Sequence, residues 1–267
     1  MENKTIKTLF IGAGRMAQAM ISQLVKDTRF EITVTNSGNQ KRLTDVKEIY
    51  EVSVATAWTD VIEDSDVVVL AIPPDAHPAI LGEISPLIKG QLVITVAAGI
   101  RPSWLEERLP DKTAVAWVMP NTAAEVGQSS TPTAVGNYVT PAQKEVLEAL
   151  LSNIGTFEIV TEEQVKALTA ITGSAPAFVY KIAQALVETG LKSGITVSQA
   201  NHLVAQMILG SASMLKTGKS PEELIDQVAT PGGSTAEGLR VLDENNTKEI
   251  IATAIQACRD KANQSDN

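Results

Sequence analysis

At 267 residues, 44% of them hydrophobic and only 4% aromatic, the chain suits one large domain or two smaller ones with a core of aliphatic side chains. A net charge of −9, spread along the sequence, argues against nucleic acid or an anionic membrane surface as a general partner. One cysteine, Cys258, excludes an intrachain disulfide, and with two histidines, His77 and His202, no His/Cys metal cluster is expected.

The polar first residues carry no signal-peptide core, and no apolar run is long enough to cross a bilayer, so a cytoplasmic, membrane-free protein is expected. From residue 6 onward, short β-branched runs alternate with helical patterns, as in a parallel sheet covered by helices. Strands are expected at Ile6–Ile11, Glu31–Thr35, Asp66–Ile72, Leu92–Val96 and Ala114–Val118, with later ones near Thr133–Tyr138 and Thr156–Val160.

The first strand runs into Gly12-Ala13-Gly14-Arg15-Met16-Ala17, a G-x-G-x-x-A pattern between a strand and a helix. In that setting it marks a dinucleotide site, with the pyrophosphate on the helix start near Gly12, Gly14, Arg15 and Met16. The acidic residue that a NAD site carries at the end of the second strand, some twenty residues on, is replaced by Thr35-Asn36-Ser37-Gly38 with Lys41 and Arg42 beyond. Nothing there repels a 2′-phosphate, so NADP is favoured over NAD, with Asn36 and Ser37 as the contacts. Ligands of open α/β sheets lie outside the carboxyl ends of the strands, which adds Ala71, Pro73, Pro74, Ala97, Ala98, Gly99 and Asn121 to the candidate cofactor residues.

Beyond about residue 161 the strand signals stop and helices are expected at Glu162–Thr172, Pro176–Lys192, Gln199–Lys216, Pro221–Ala229, Ala236–Asn245 and Lys248–Ala262. Thr161 with Gln164, Ser198, and Ser220 before Pro221 read as their starting caps. The fold class is therefore α/β: a Rossmann-type dinucleotide-binding domain over residues 1–160, then an all-α domain over residues 161–267. An apolar helical module of that size is marginal alone, so a second copy is expected to cover it in a dimer at least. Within it, Thr230-Pro231-Gly232-Gly233-Ser234-Thr235 combines two glycines and two hydroxyls just before a helix. Ser234 with Glu237 reads as a capping box, and such a loop can hold a carboxylate on free backbone N–H groups.

These motifs together resemble the pyrroline-5-carboxylate reductase family along essentially the whole chain. The resemblance rests on Gly12–Ala17, Ala97-Ala98-Gly99-Ile100, Met119-Pro120-Asn121-Thr122, Thr172-Gly173-Ser174-Ala175-Pro176-Ala177-Phe178 and Thr230–Thr235; the last two are the specific ones. It implies reduction of the cyclic imine 1-pyrroline-5-carboxylate to L-proline, the last step of proline biosynthesis, in a homodimer or a ring of dimers. It also implies that Gly232, Gly233 and Ser234 cradle the substrate carboxylate and that Thr235 bonds the ring nitrogen. The chain departs from the family pattern at Pro73, where a lysine is usual, and at Trp117, where an arginine is usual.

Reducing C=N needs a hydride at carbon and a protonated nitrogen, and the imine can arrive protonated, so orientation matters more than a strong base. Accordingly His77 and His202 are expected to be structural or exposed. Two alternatives keep the fold: a reductase of another cyclic imino acid, and a regulatory paralogue that binds dinucleotide with little activity.

Overall fold

The structure, a computed structural model, describes residues 5–264. Its sheet has eight strands in the order β3-β2-β1-β4-β5-β6-β7-β8. These are β1 (Ile6–Ile11), β2 (Phe30–Thr35), β3 (Ser53–Val54), β4 (Val67–Leu70), β5 (Leu92–Thr95), β6 (Ala114–Val118), β7 (Ser129–Val135) and β8 (Gly155–Ile159). The first six run parallel; β7 is antiparallel to β6, and β8 is parallel to β7. Crossing from β3 to β4 carries the chain over β2 and β1, which makes the carboxyl ends of β1 and β4 a topological switch point.

Alternate residues of each central strand enter opposite layers. Phe10, Val69, Ile94 and Ala116 pack under α1 (Arg15–Leu24), α2 (Gln40–Tyr50) and α5 (Pro141–Ile154), whereas Leu9, Ile11, Val68, Leu70, Val93 and Val115 pack with α3 (His77–Ile84) and α4 (Pro102–Glu106). Both faces are covered, which is why β4 and β5 are buried at every position and read as apolar runs, unbroken in β4 and ending at Thr95 in β5. The sequence patterns missed β3, whose two residues are too short to show a period, and placed β7 four residues late. Pro132 within Ser129–Val135 mimics a turn, yet as a strand residue it loses only the N–H, and its carbonyl still accepts the Met119 N–H at 3.1 Å.

The remaining helices are α6 (Glu162–Thr169), α7 (Pro176–Leu191), α8 (Val197–Leu215), α9 (Pro221–Val228), α10 (Ser234–Glu244) and α11 (Thr247–Gln264). Capping boxes open α6 at Thr161/Gln164 and α9 at Ser220/Glu223. The cap of α8 is Thr196 with Gln199; Ser198 lies inside the first turn, because the reciprocal pair needs a spacing of three. The expected end of α6 at Thr172 gives way to a π-helical turn at Ala170–Ser174, within the segment that carries the specific family motif.

Among the described residues, compactness divides the chain into one unit of residues 5–173 with 261–264 and a second of Ser174–Asp260. Helix α6 packs on β7 and so belongs to the first unit.

Candidate active site

The exit of β1 shows why a glycine stands at position 12. Its backbone has φ +107°, and a Cβ there would sit 2.4 Å from the Ala71 carbonyl oxygen, where β4 also ends. Gly14 is different: its φ of −70° suits any residue, and a Cβ would meet no atom of the described residues within 4 Å. It serves as N-cap of α1 without a side-chain cap, so the first N–H groups and the positive dipole end face open space.

Around this helix start lies a cleft of about 430 Å³ lined by Gly12, Gly14, Arg15, Met16, Asn36, Ser37, Ala71 and Pro73. Asn36 fixes its rim, accepting from Ala13 N–H through Oδ1 (3.3 Å) and donating through Nδ2 to Asn39 O (3.3 Å). Arg42 also lines the cleft, and no carboxylate among the described residues pairs with its guanidinium. Trp58 is a lining residue that the sequence did not disclose, since nothing marks the β3–β4 connection as functional; its buried Nε1 has no hydrogen-bond partner among the described residues. A pyrophosphate fits the open helix start, and a 2′-phosphate fits the cation beside Asn36 and Ser37.

The other candidates separate into two groups. Pro74, Ala98 and Gly99 line an adjoining hollow of about 680 Å³ with Arg101 and Trp104. Ala97 and Asn121 are buried below the surface. Asn121 holds local structure, accepting from Ala123 N–H at 2.9 Å and donating to Thr172 O at 2.8 Å, so it ties the exit of β6 to the π-helical turn. His77 is fully buried and bonded through both ring nitrogens, whereas His202 is exposed.

In the second unit, Gly233 N–H donates to Thr230 O at 2.9 Å and Gly232 takes φ +77°, a geometry that fits a type II turn with Pro231 leading it. A Cβ on Gly233 would meet Thr230 Oγ1 at 2.6 Å. The capping box read at Ser234 does not form. Gly233 is the N-cap, Ser234 is already the first helical residue, and Glu237 turns instead to Arg240, with contacts of 2.6 and 3.0 Å. The start of α10 is therefore uncapped, and neither the Ser234 nor the Thr235 hydroxyl has a hydrogen-bond partner among the described residues. Thr235 borders a groove of about 630 Å³ formed mainly by apolar side chains, among them Met207, Met214, Leu224 and Leu239.

That groove continues an apolar surface. α7, α9 and α10 bury no residue, and Tyr180, Leu203, Leu209, Val228 and Ile250 are each at least 60% exposed. Exposed aliphatic area on this scale marks a protein interface.

A Rossmann-type sheet whose glycine loop opens onto a cleft at its switch point, followed by a helical unit with an exposed apolar surface, has the build of a dinucleotide-binding protein. Comparison with known proteins narrows the class. Residues 162–265 match the model of the pyrroline-5-carboxylate reductase dimerisation domain, and residues 7–99 match a model described as NADP oxidoreductase, coenzyme F420-dependent. Pyrroline-5-carboxylate reductase 1 of Bacillus subtilis is 38% identical over 255 residues, covering 94% of this chain and 86% of its own. The crystal structure of 1-pyrroline-5-carboxylate reductase from Streptococcus pyogenes superposes with a TM-score of 0.86 at 32% identity, covering 98% of this chain and 99% of the other. The Plasmodium falciparum pyrroline carboxylate reductase, solved with NADP bound, gives 0.88 at 26% identity, covering 99% of each chain. The chain belongs to the pyrroline-5-carboxylate reductase family.

Proposed function

We propose that this protein reduces 1-pyrroline-5-carboxylate to L-proline, with NADPH preferred over NADH, as the last step of proline biosynthesis in the cytoplasm. The observation that carries the substrate reading is the Thr230–Thr235 loop, whose uncapped helix start and two unbonded hydroxyls suit a carboxylate next to a polar ring atom. Gly232, Gly233 and Ser234 hold the carboxylate, the glycines by close backbone approach and Ser234 by its hydroxyl. Thr235 orients the ring nitrogen. The dinucleotide supplies the hydride; Gly12, Gly14, Arg15 and Met16 hold its pyrophosphate, and Asn36, Ser37 and Arg42 select its 2′-phosphate. Labour is divided between residues 1–160, which bind the dinucleotide, and residues 161–267, which bind substrate and form a homodimer or a ring of dimers through the exposed apolar helices.

The test is NADPH consumption by the purified protein with five- and six-membered cyclic imino acids, repeated with NADH. Faster turnover of the five-membered ring with NADPH is expected. Turnover of the six-membered ring alone would reassign the substrate, and NADPH binding without imine-dependent oxidation would favour a regulatory role. In the same assay Arg42→Ala is expected to raise KM for NADPH roughly tenfold or more and to leave KM for NADH unchanged, since a hydrogen bond to a charged group contributes about 1.5–3 kcal/mol.

A further inference from the structure

Five residues at or just beyond the carboxyl ends of β4, β5 and β6 are joined by one chain of hydrogen bonds, buried except where it reaches Pro73. His77 Nδ1 lies 3.0 Å from Pro73 O, and His77 Nε2 lies 2.9 Å from Thr95 Oγ1. Ala97 N–H donates to Thr95 Oγ1 at 3.2 Å, and Trp117 Nε1 donates to Ala97 O at 2.8 Å. His77 and Thr95 are fully buried and Trp117 is 1% exposed.

The proton positions in this chain follow from its chemistry. A carbonyl only accepts, so Nδ1 of His77 carries the hydrogen, and Nε2 is left to accept the Thr95 hydroxyl. The Thr95 oxygen is then free to accept Ala97 N–H, and each polar atom is satisfied with a neutral imidazole. A second proton on the ring would turn Nε2 into a donor and take away the acceptor of the Thr95 hydroxyl hydrogen. Burial holds the His77 pKa below its ordinary value against the raising influence of the Pro73 and Pro74 backbone and of Asp75.

The bridge stands where the sheet no longer joins its strands. Val96 N–H to Leu70 O is the last backbone bond between β4 and β5, and among the described residues none joins residues 71–76 to residues 97–100. Those two turns supply Ala71 and Pro73 to the dinucleotide cleft and Ala98 and Gly99 to the adjoining hollow. Pro73, with φ −59°, supplies the carbonyl that His77 bonds, and Trp117 supplies the indole N–H that closes the far end of the chain; both are among the positions where the sequence departs from the family pattern.

We propose that His77 is a positioning residue that clamps the β4 and β5 exit turns at the spacing needed to seat the nicotinamide end of the cofactor. The proposal rests on the dinucleotide reading of the cleft. It assigns His77 no proton transfer to substrate.

The test compares affinity for NADPH with affinity for 2′-phospho-ADP-ribose, which lacks nicotinamide, in wild type, His77→Leu, Thr95→Val and the double variant. His77→Leu is expected to leave the fragment's Kd within about twofold, to weaken NADPH on the order of tenfold and to lower kcat at least as much. Thr95→Val should match it, and the double variant should be no worse than either single one, because both break the same chain. His77→Asn, which keeps a donor for Pro73, should recover part of the loss and guards against a Leu variant that fails to fold. Equal weakening of NADPH and fragment, or a lowered Tm with both affinities unchanged, would overturn the proposal and leave His77 a packing residue. Wild type that binds both probes but oxidises no imine would defeat the substrate assignment alone, while the NADPH-to-fragment ratio would still decide the role of His77.

Discussion

Gly14→Val is expected to weaken NADPH binding about a hundredfold, near 2.7 kcal/mol, while the protein keeps its fold. The expectation follows from the unlike reasons for the two glycines of the loop. At Gly12 the left-handed backbone and the Ala71 carbonyl both forbid a side chain, so Gly12→Val should reduce the yield of folded protein. At Gly14 the backbone is ordinary and the space beyond it holds no protein atom, so the valine meets only what binds there. Fluorescence titration with NADPH and a thermal melt on the same sample separate the cases. Unaltered NADPH affinity in Gly14→Val would remove the α1 start as the pyrophosphate site.

Thr235→Ala is expected to lower kcat about a hundredfold with NADPH affinity unchanged, a loss of transition-state orientation and not of cofactor binding. The hydroxyl is exposed and makes no hydrogen bond among the described residues, so its removal should alter stability by no more than about 0.5 kcal/mol. Thr235→Ser, which keeps the hydroxyl, should restore most of the rate. Steady-state kinetics in imine at saturating NADPH is the measurement, and an undiminished kcat in the alanine variant would take Thr235 out of the reaction. Ser234→Ala should act mainly on KM for the imine, because Ser234 caps no helix and its hydroxyl is free for the carboxylate.

Much of this site was legible because backbone requirements leave marks in sequence. The strand, the two glycines and the following helix marked the loop that lines the cleft, and the stretch after β2 that lacks an acid is where Asn36, Ser37 and Arg42 line it. The glycines and hydroxyls of Thr230–Thr235 likewise marked a loop ahead of a helix, though not the turn that it forms. What stayed hidden depended on side chains meeting across the fold. Glu237 stands at capping-box spacing from Ser234, yet Arg240 one turn further competes for its carboxylate, and local spacing does not show which contact wins. Asn121 sits at a strand exit as cofactor residues do, but its amide is spent on Ala123 and Thr172, the latter 51 residues away in sequence. The burial of Trp117 against the Ala97 carbonyl was equally invisible, since an isolated tryptophan in a strand says nothing of its partner.

The helices α7, α9 and α10, with no residue of their own buried, also bear on how the molecule becomes stable. A module that shelters its aliphatic side chains only against another copy completes its core by a bimolecular step, so its folding free energy includes a term in protein concentration. The denaturant midpoint of helical signal should therefore rise as the protein is made more concentrated, whereas a module complete within one protomer would unfold at the same midpoint at every concentration.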